Sequence, residues 1–115
     1  MPLKNGYTPY YRERKYFYGK REATLYLFDS GVRVIGFADK DQFDLRVLTI
    51  GLNPKGQGLG EEALKALRPK FKYIVVNEIM EESLPFWVKM RERGYIDCIG
   101  TVKYEYGHSY QNEAQ

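Results

Sequence analysis

Between residues 12 and 52 the chain alternates apolar and polar positions with a period of about two, and short polar segments interrupt the alternation. Residues 12–18 start a first strand, closed by Gly19-Lys20. Ala23-Thr24-Leu25-Tyr26-Leu27-Phe28 reads as a second, ended by the turn Asp29-Ser30-Gly31. Residues 32–38 form a third, and Asp39-Lys40-Asp41-Gln42 turns the chain into a fourth over residues 43–52. Strands joined by connections this short run antiparallel, as a meander.

Beyond residue 60 the period changes. Residues 61–68 place Ala63, Leu64 and Leu67 on one helical face, with acids in the first turn and Pro69 as the stop. Residues 72–77, Lys-Tyr-Ile-Val-Val-Asn, predict a short strand. A second helix starts at Ser83 as N-cap, carries Pro85 in its tolerant first turn and stops at Gly94. Residues 95–99 and 101–106 read as two closing strands around Gly100. Residues 1–11, with Pro2, Gly6 and Pro9, read as an extended arm, and residues 107–115 as a polar, frayed tail. The expectation is one mixed α+β domain over residues 12–106, a mostly antiparallel sheet with two helices in the order β-β-β-β-α-β-α-β-β.

A chain of 115 residues with 43% hydrophobic and 29% charged residues suits one globular core. The net charge of +3 is compatible with an anionic ligand and does not by itself call for nucleic acid. The single cysteine, Cys98, excludes an intramolecular disulfide and suits a reducing cytoplasm; in its strand it reads as a small packed side chain. No apolar run reaches membrane-spanning length, and Met1-Pro2-Leu3-Lys4 leads into polar residues rather than a signal sequence, so no membrane role is expected.

The chemistry concentrates in Asn53-Pro54-Lys55-Gly56-Gln57-Gly58-Leu59-Gly60, between the fourth strand and the first helix. Glycines there allow positive φ and close backbone approach, and a helix N-terminus offers orphan N–H groups to an anion. The segment is suited to a phosphorylated ligand; the alternative is an ordinary glycine-rich turn. Glu61-Glu62 after Gly60 excludes a P-loop, and the strict alternation of Gly56, Gly58 and Gly60 fits a dinucleotide fingerprint poorly.

Lys55-Gly56-Gln57-Gly58-Leu59-Gly60 resembles the pyrophosphate loop of the GNAT (Gcn5-related) N-acetyltransferase superfamily. Residues 83–96, with Phe86-Trp87 and Gly94-Tyr95, resemble that family's second signature, a helix bearing an aromatic pair that ends in Gly-aromatic. The resemblance covers residues 44 to 106, over half of the chain. It implies acetyl-CoA or another acyl-CoA as co-substrate, with no metal. The pyrophosphate would lie on Gln57, Gly58, Leu59 and Gly60 beside Lys55 and Gly56. The fourth strand and first helix would splay, and the pantetheine arm would add to the backbone of Ile50 and Leu52, with Gly51 marking a bulge. The chain departs from the family in having no helices between its first two strands, which leaves the acceptor side open. It also has Trp87 where many members carry an acidic tyrosine, and Met80 where an asparagine is common. An indole cannot serve as the acid, and Trp87 reads as core filler.

The base that an amine acceptor requires has two candidates, Asp44 and Glu78, each with a solvated carboxylate as its alternative. Strict alternation would set Asp44 on one face with Arg46, Leu48, Ile50 and Leu52. His108, the only histidine, falls in the polar tail. The N-terminal third interleaves tyrosines with arginines and lysines, a pattern compatible with nucleic acid but read here as strand and partner surface. These readings point to an N-acyltransferase acting on an amine. The alternative is a non-catalytic binding or inhibitory protein on the same scaffold, acting on a protein or RNA. The open face implies a homodimer or a macromolecular acceptor, with residues 7–18 in the contact.

Overall fold

A computed structural model describes residues 10–104 and the backbone of residues 109–110. Four strands, β1 (Tyr11–Tyr18), β2 (Arg21–Phe28), β3 (Arg33–Asp39) and β4 (Gln42–Thr49), form the expected antiparallel meander. Helix α1 (Leu59–Leu67) leads to β5 (Tyr73–Val76), which pairs parallel with β4. After β6 (Ile79–Met80), helix α2 (Leu84–Glu92) returns the chain to β7 (Cys98–Ile99), parallel to β5. The main sheet thus has six strands in the order β1-β2-β3-β4-β5-β7. A smaller sheet joins β6, β8 (Val102–Lys103) and β9 (Ser109–Tyr110).

Register decides which side chains form the core. Directly paired residues share a sheet face, so Tyr26, Val34 and Leu48 lie together, as do Phe43 with Ile74 and Leu45 with Val76 and Ile99. These residues meet Ala63, Leu64 and Leu67 of α1 and Trp87 and Met90 of α2 in one hydrophobic cluster. Parallel crossovers share one hand as a rule, so two in the same direction, β4 to β5 and β5 to β7, put both helices on that one face. Tyr26 ties the meander to the parallel half: its ring lies 5.6 Å from Phe43 and 6.4 Å from Phe71, and Phe43 stacks on Phe71 at 4.8 Å. The opposite face bears Leu25, Ile35 and Val47, and among the described residues no helix covers it.

Several boundaries and one face assignment differ from the sequence expectation. β1 begins at Tyr11, whose ring packs 5.7 Å from Tyr26, so the strand claims the last residue given to the arm. β4 ends at Thr49 rather than at residue 52. Gly51, at φ 68°, belongs to a turn beyond the strand, where a Cβ would stand 3.0 Å from the Gly31 carbonyl oxygen; it is not a bulge. The bulge lies earlier: Ile35 pairs with Val47 and Gly36 with Leu45, which leaves Arg46 as the extra residue of β4. That insertion reverses the alternation, so Asp44 and Leu48 occupy opposite faces. Residues 109–110, placed by sequence in the frayed tail, pair with β8. Residues 1–9, 105–108 and 111–115, with Tyr7 and His108 among them, lie outside the described residues.

The bulge also marks where the sheet opens. β4 and β5 pair from Gln42 and Tyr73 only as far as Leu45 and Val76, and the last bond is Asn77 N–H to the Leu45 carbonyl at 2.9 Å. Beyond it β4 continues along β3, while β6 joins β8 instead. The divergence therefore separates β4 from β5, not β4 from the first helix. The start of α1 stays close to β4, where a Cβ at Gly60 would lie 3.4 Å from Leu48.

Candidate functional site

A cavity of about 780 Å³ fills the wedge between the diverging strands and the two helices. At one end lies the glycine loop. Gly56 (φ 85°) and Gly58 (φ 74°) are both in the left-handed region, and a Cβ added at either meets nothing within 4 Å. Open space and a conformation that glycine alone adopts freely leave the loop backbone accessible. Asn53 fixes the loop's entry: its side-chain amide donates to the Ile50 carbonyl at 2.6 Å and to the Ser30 carbonyl at 2.9 Å. The first helical bond of α1 runs from Glu62 N–H to the Gly58 carbonyl at 3.0 Å, so the preceding N–H groups have no partner within the helix. Gly60 has a packing role. A Cβ there would press to 3.2 Å from the Phe86 ring, so glycine lets α1 and α2 approach.

The charge around the cavity favours an anion. Arg46, Lys55, Lys89, Arg93 and Lys103 line it, against the carboxylates Glu61 and Glu78. Glu61, which would oppose an anion at the helix start, is held by Arg93 at 2.7 Å. Neither Lys55 nor Lys89 is engaged in an ion pair among the described residues.

At the other end stands a polar cluster. Glu78 sits between β5 and β6 at φ 60°, a conformation that costs a non-glycine residue about 1–2 kcal/mol. Its N–H donates to Thr101 Oγ1 at 2.8 Å. The Tyr18 hydroxyl donates to Glu78 Oε1 at 3.0 Å, while Arg46 and Lys103 approach the carboxylate at 3.5 and 3.9 Å. Arg46 forks onto Asp44 with two 3.0 Å bonds, and Asn77 donates to the same carboxylate at 2.8 Å. Burial, then the bond and charge of Glu78, push the Tyr18 phenol above its ordinary pKa, so it stays protonated. The Asp44 bond holds the Arg46 guanidinium above its ordinary value.

The glycine-loop candidates Lys55, Gly56, Gln57, Gly58, Leu59 and Gly60 line the same cavity as Ile50 and Glu78. Leu52 is not; it is fully exposed in the turn after β4. Asp44 lies behind Arg46 and does not line the cavity. Trp87 is buried against Phe86, their rings 4.9 Å apart, in keeping with its reading as packing, although its edge reaches the cavity. Met80 is exposed on β6. Cys98 is half-buried on the face away from the helices, beside Tyr73, whose phenol it pushes upward. Tyr18, Arg46, Lys89, Arg93 and Lys103 also line the cavity without having been singled out as site residues by sequence. The alternation of basic and aromatic residues in β1 gave a signal for Tyr18 as surface, but not for its approach to Glu78, 60 residues away.

No group of histidine, cysteine or carboxylate side chains that could hold a metal occurs among the described residues, and no described helix is long and apolar enough to cross a membrane. No protein-family model matches the chain, and neither the curated proteins nor the solved structures contain a match to it.

Proposed function

We propose that the protein binds acyl-CoA, acetyl-CoA in the first instance, and transfers the acyl group to an amine. One observation carries the reading: the accessible glycine loop and the unpaired edge of β4 open into the same cavity. A pyrophosphate fits the loop N–H groups, with Lys55 and Lys89 supplying charge. An extended pantetheine arm fits the edge from Arg46 to Ile50, where β4 has lost its β5 partner. The thioester would then lie toward Glu78 and Tyr18. In that position Glu78 is the better base candidate, since it lines the cavity, whereas Asp44 stays outside the lining with both oxygens on Arg46.

The second reading, a binding protein without turnover, is favoured by the buried indole of Trp87 on α2, where a proton donor is wanted. Calorimetric titration with acetyl-CoA tests both readings at once. Binding in the micromolar range is expected for the wild type and at least about tenfold weakening for Gly58→Asp, which adds strain at φ 74° and a like charge beside the pyrophosphate. Equal binding by both proteins moves the ligand away from the loop. Binding without acyl transfer to any amine leaves the second reading.

A further inference from the structure

We propose that the helix-free face of the main sheet is a docking surface for an acidic amphipathic helix of another protein. The strand register sorts the charges of the N-terminal third by face. Arg12 pairs with Leu27, Arg14 with Leu25 and Arg33 with Leu27, so these arginines share the open face with the leucines. Tyr16 and Arg21, through Ala23 and Tyr18, lie on the same side. The carboxylates that interrupt the basic run, Glu13 and Glu22, pair with Tyr26 and Phe17 on the helix-covered side, where Lys70 and Lys15 neutralise them at 3.5 and 3.7 Å. A run that looks mixed in sequence is therefore almost purely cationic on the open face. None of the ion pairs among the described residues involves Arg12, Arg14, Arg21 or Arg33.

The centre of that face is apolar. Leu25, Ile35 and Val47 form one cross-strand row, with Leu27 beside it; Ile35 is buried and the others half-buried. An apolar centre with an arginine rim is the layout of an interface, where the buried middle is depleted in charge and Arg and Tyr are enriched. Charge complementarity selects the occupant. A second copy would bring this rim against itself: among the described strand residues the acids on the same side are Asp39 and Asp44, Asp44 is already held by Arg46, and the nearby Glu78 is held by Tyr18, Arg46 and Lys103. A single-stranded nucleic acid would want ring faces in a row, but Arg21 sits 3.7 Å above the Phe37 ring, and the exposed rings of Tyr16 and Tyr73 stand on β1 and β5, with three strands between them. A helix with an apolar stripe and flanking carboxylates satisfies both the row and the rim.

The test uses fluorescence anisotropy with the whole protein and three labelled probes. These are an 18-residue helical peptide with a leucine stripe flanked by glutamates, its twin with lysines in place of the glutamates, and a 20-nucleotide oligouridine. The glutamate peptide is expected to bind at least about tenfold tighter than its twin. Arg12→Glu/Arg14→Glu should abolish that preference, whereas Lys15→Glu/Lys70→Glu, the same charge change on the covered side, should preserve it. Thermal melts of the variants confirm that each is folded. Equal or absent binding of the two peptides overturns the proposal. So does tighter binding of oligouridine with the same arginine dependence, or a dimer in light scattering that the Arg12/Arg14 reversal dissociates. No probe contains coenzyme A, so the outcome is independent of the acyl-CoA reading.

Discussion

Gly36 and Gly60 show how single glycines set distances in this molecule. A Cβ at Gly36 would stand 2.7 Å from the Phe43 ring, which is pinned by its stacking on Phe71 and cannot yield. Gly36→Ala is expected to destabilise by about 2 kcal/mol or more, read from urea unfolding at unchanged m. Trp87→Phe removes part of a buried ring and is expected to cost about 1–3 kcal/mol while leaving acetyl-CoA affinity within about threefold. Retained stability with lost binding would give the indole a ligand role. At this scale the sequence was informative where chemistry is local: the positive φ of Gly56 and Gly58 and the burial of Trp87 follow from residue type and neighbours. Glu78 was identifiable as a carboxylate, but not as one held at φ 60° by Thr101 from 23 residues away.

Among the elements, β4 carries the most consequence, and its defining feature was invisible in the sequence. Alternation over residues 43–52 is too weak to reveal one extra residue, because Leu45, Val47 and Leu48 are apolar whichever face they take. The bulge at Arg46 keeps Phe43, Leu45 and Leu48 on the helix side and coincides with the end of β4–β5 pairing. Deleting Arg46 preserves that facing, since Leu45 and Val47 would then follow in ordinary alternation. The deletion should fold, with far-UV circular dichroism unchanged, and lose at least about tenfold in acetyl-CoA affinity as the edge straightens. Arg46→Ala keeps the extra residue and should bind within about threefold of wild type, with stability lower by about 1–3 kcal/mol because Asp44 and Glu78 lose their shared partner. Equal affinity for the deletion and the substitution would separate the bulge from the ligand. The helices and the meander were legible because turn residues and stop signals such as Gly94 at φ 84° are local, although Ser83 turns its hydroxyl to the Met80 carbonyl and makes no side-chain cap bond to α2. β6 was not, since a two-residue strand leaves no periodicity to read.

For the whole molecule, the helices gather on one face, and Tyr26 joins the two halves of the sheet beneath them. Its phenol is pushed well above its ordinary value of 10.0, first by burial and then by Glu13 and Tyr11. Above pH 10 the unfolded chain loses this proton while the folded chain keeps it. The contribution is therefore fully present below the unfolded value and declines as pH rises toward the folded one. Each pH unit in that window removes about 1.4 kcal/mol for this one group. Tyr18 and Tyr73 shift in the same direction, so the wild type should show a steeper alkaline decline than a single tyrosine gives. Tyr26→Phe removes one of these protons and keeps the ring contacts with Phe43 and Phe71. Urea unfolding between pH 9 and pH 11.5 should then show a slope shallower by about 1.4 kcal/mol per pH unit in the variant, with the two proteins differing by a constant below pH 9. Parallel decline in both would mean that the Tyr26 hydroxyl reaches water in the folded state. The aromatic joint between meander and parallel half would then be looser than its ring contacts require.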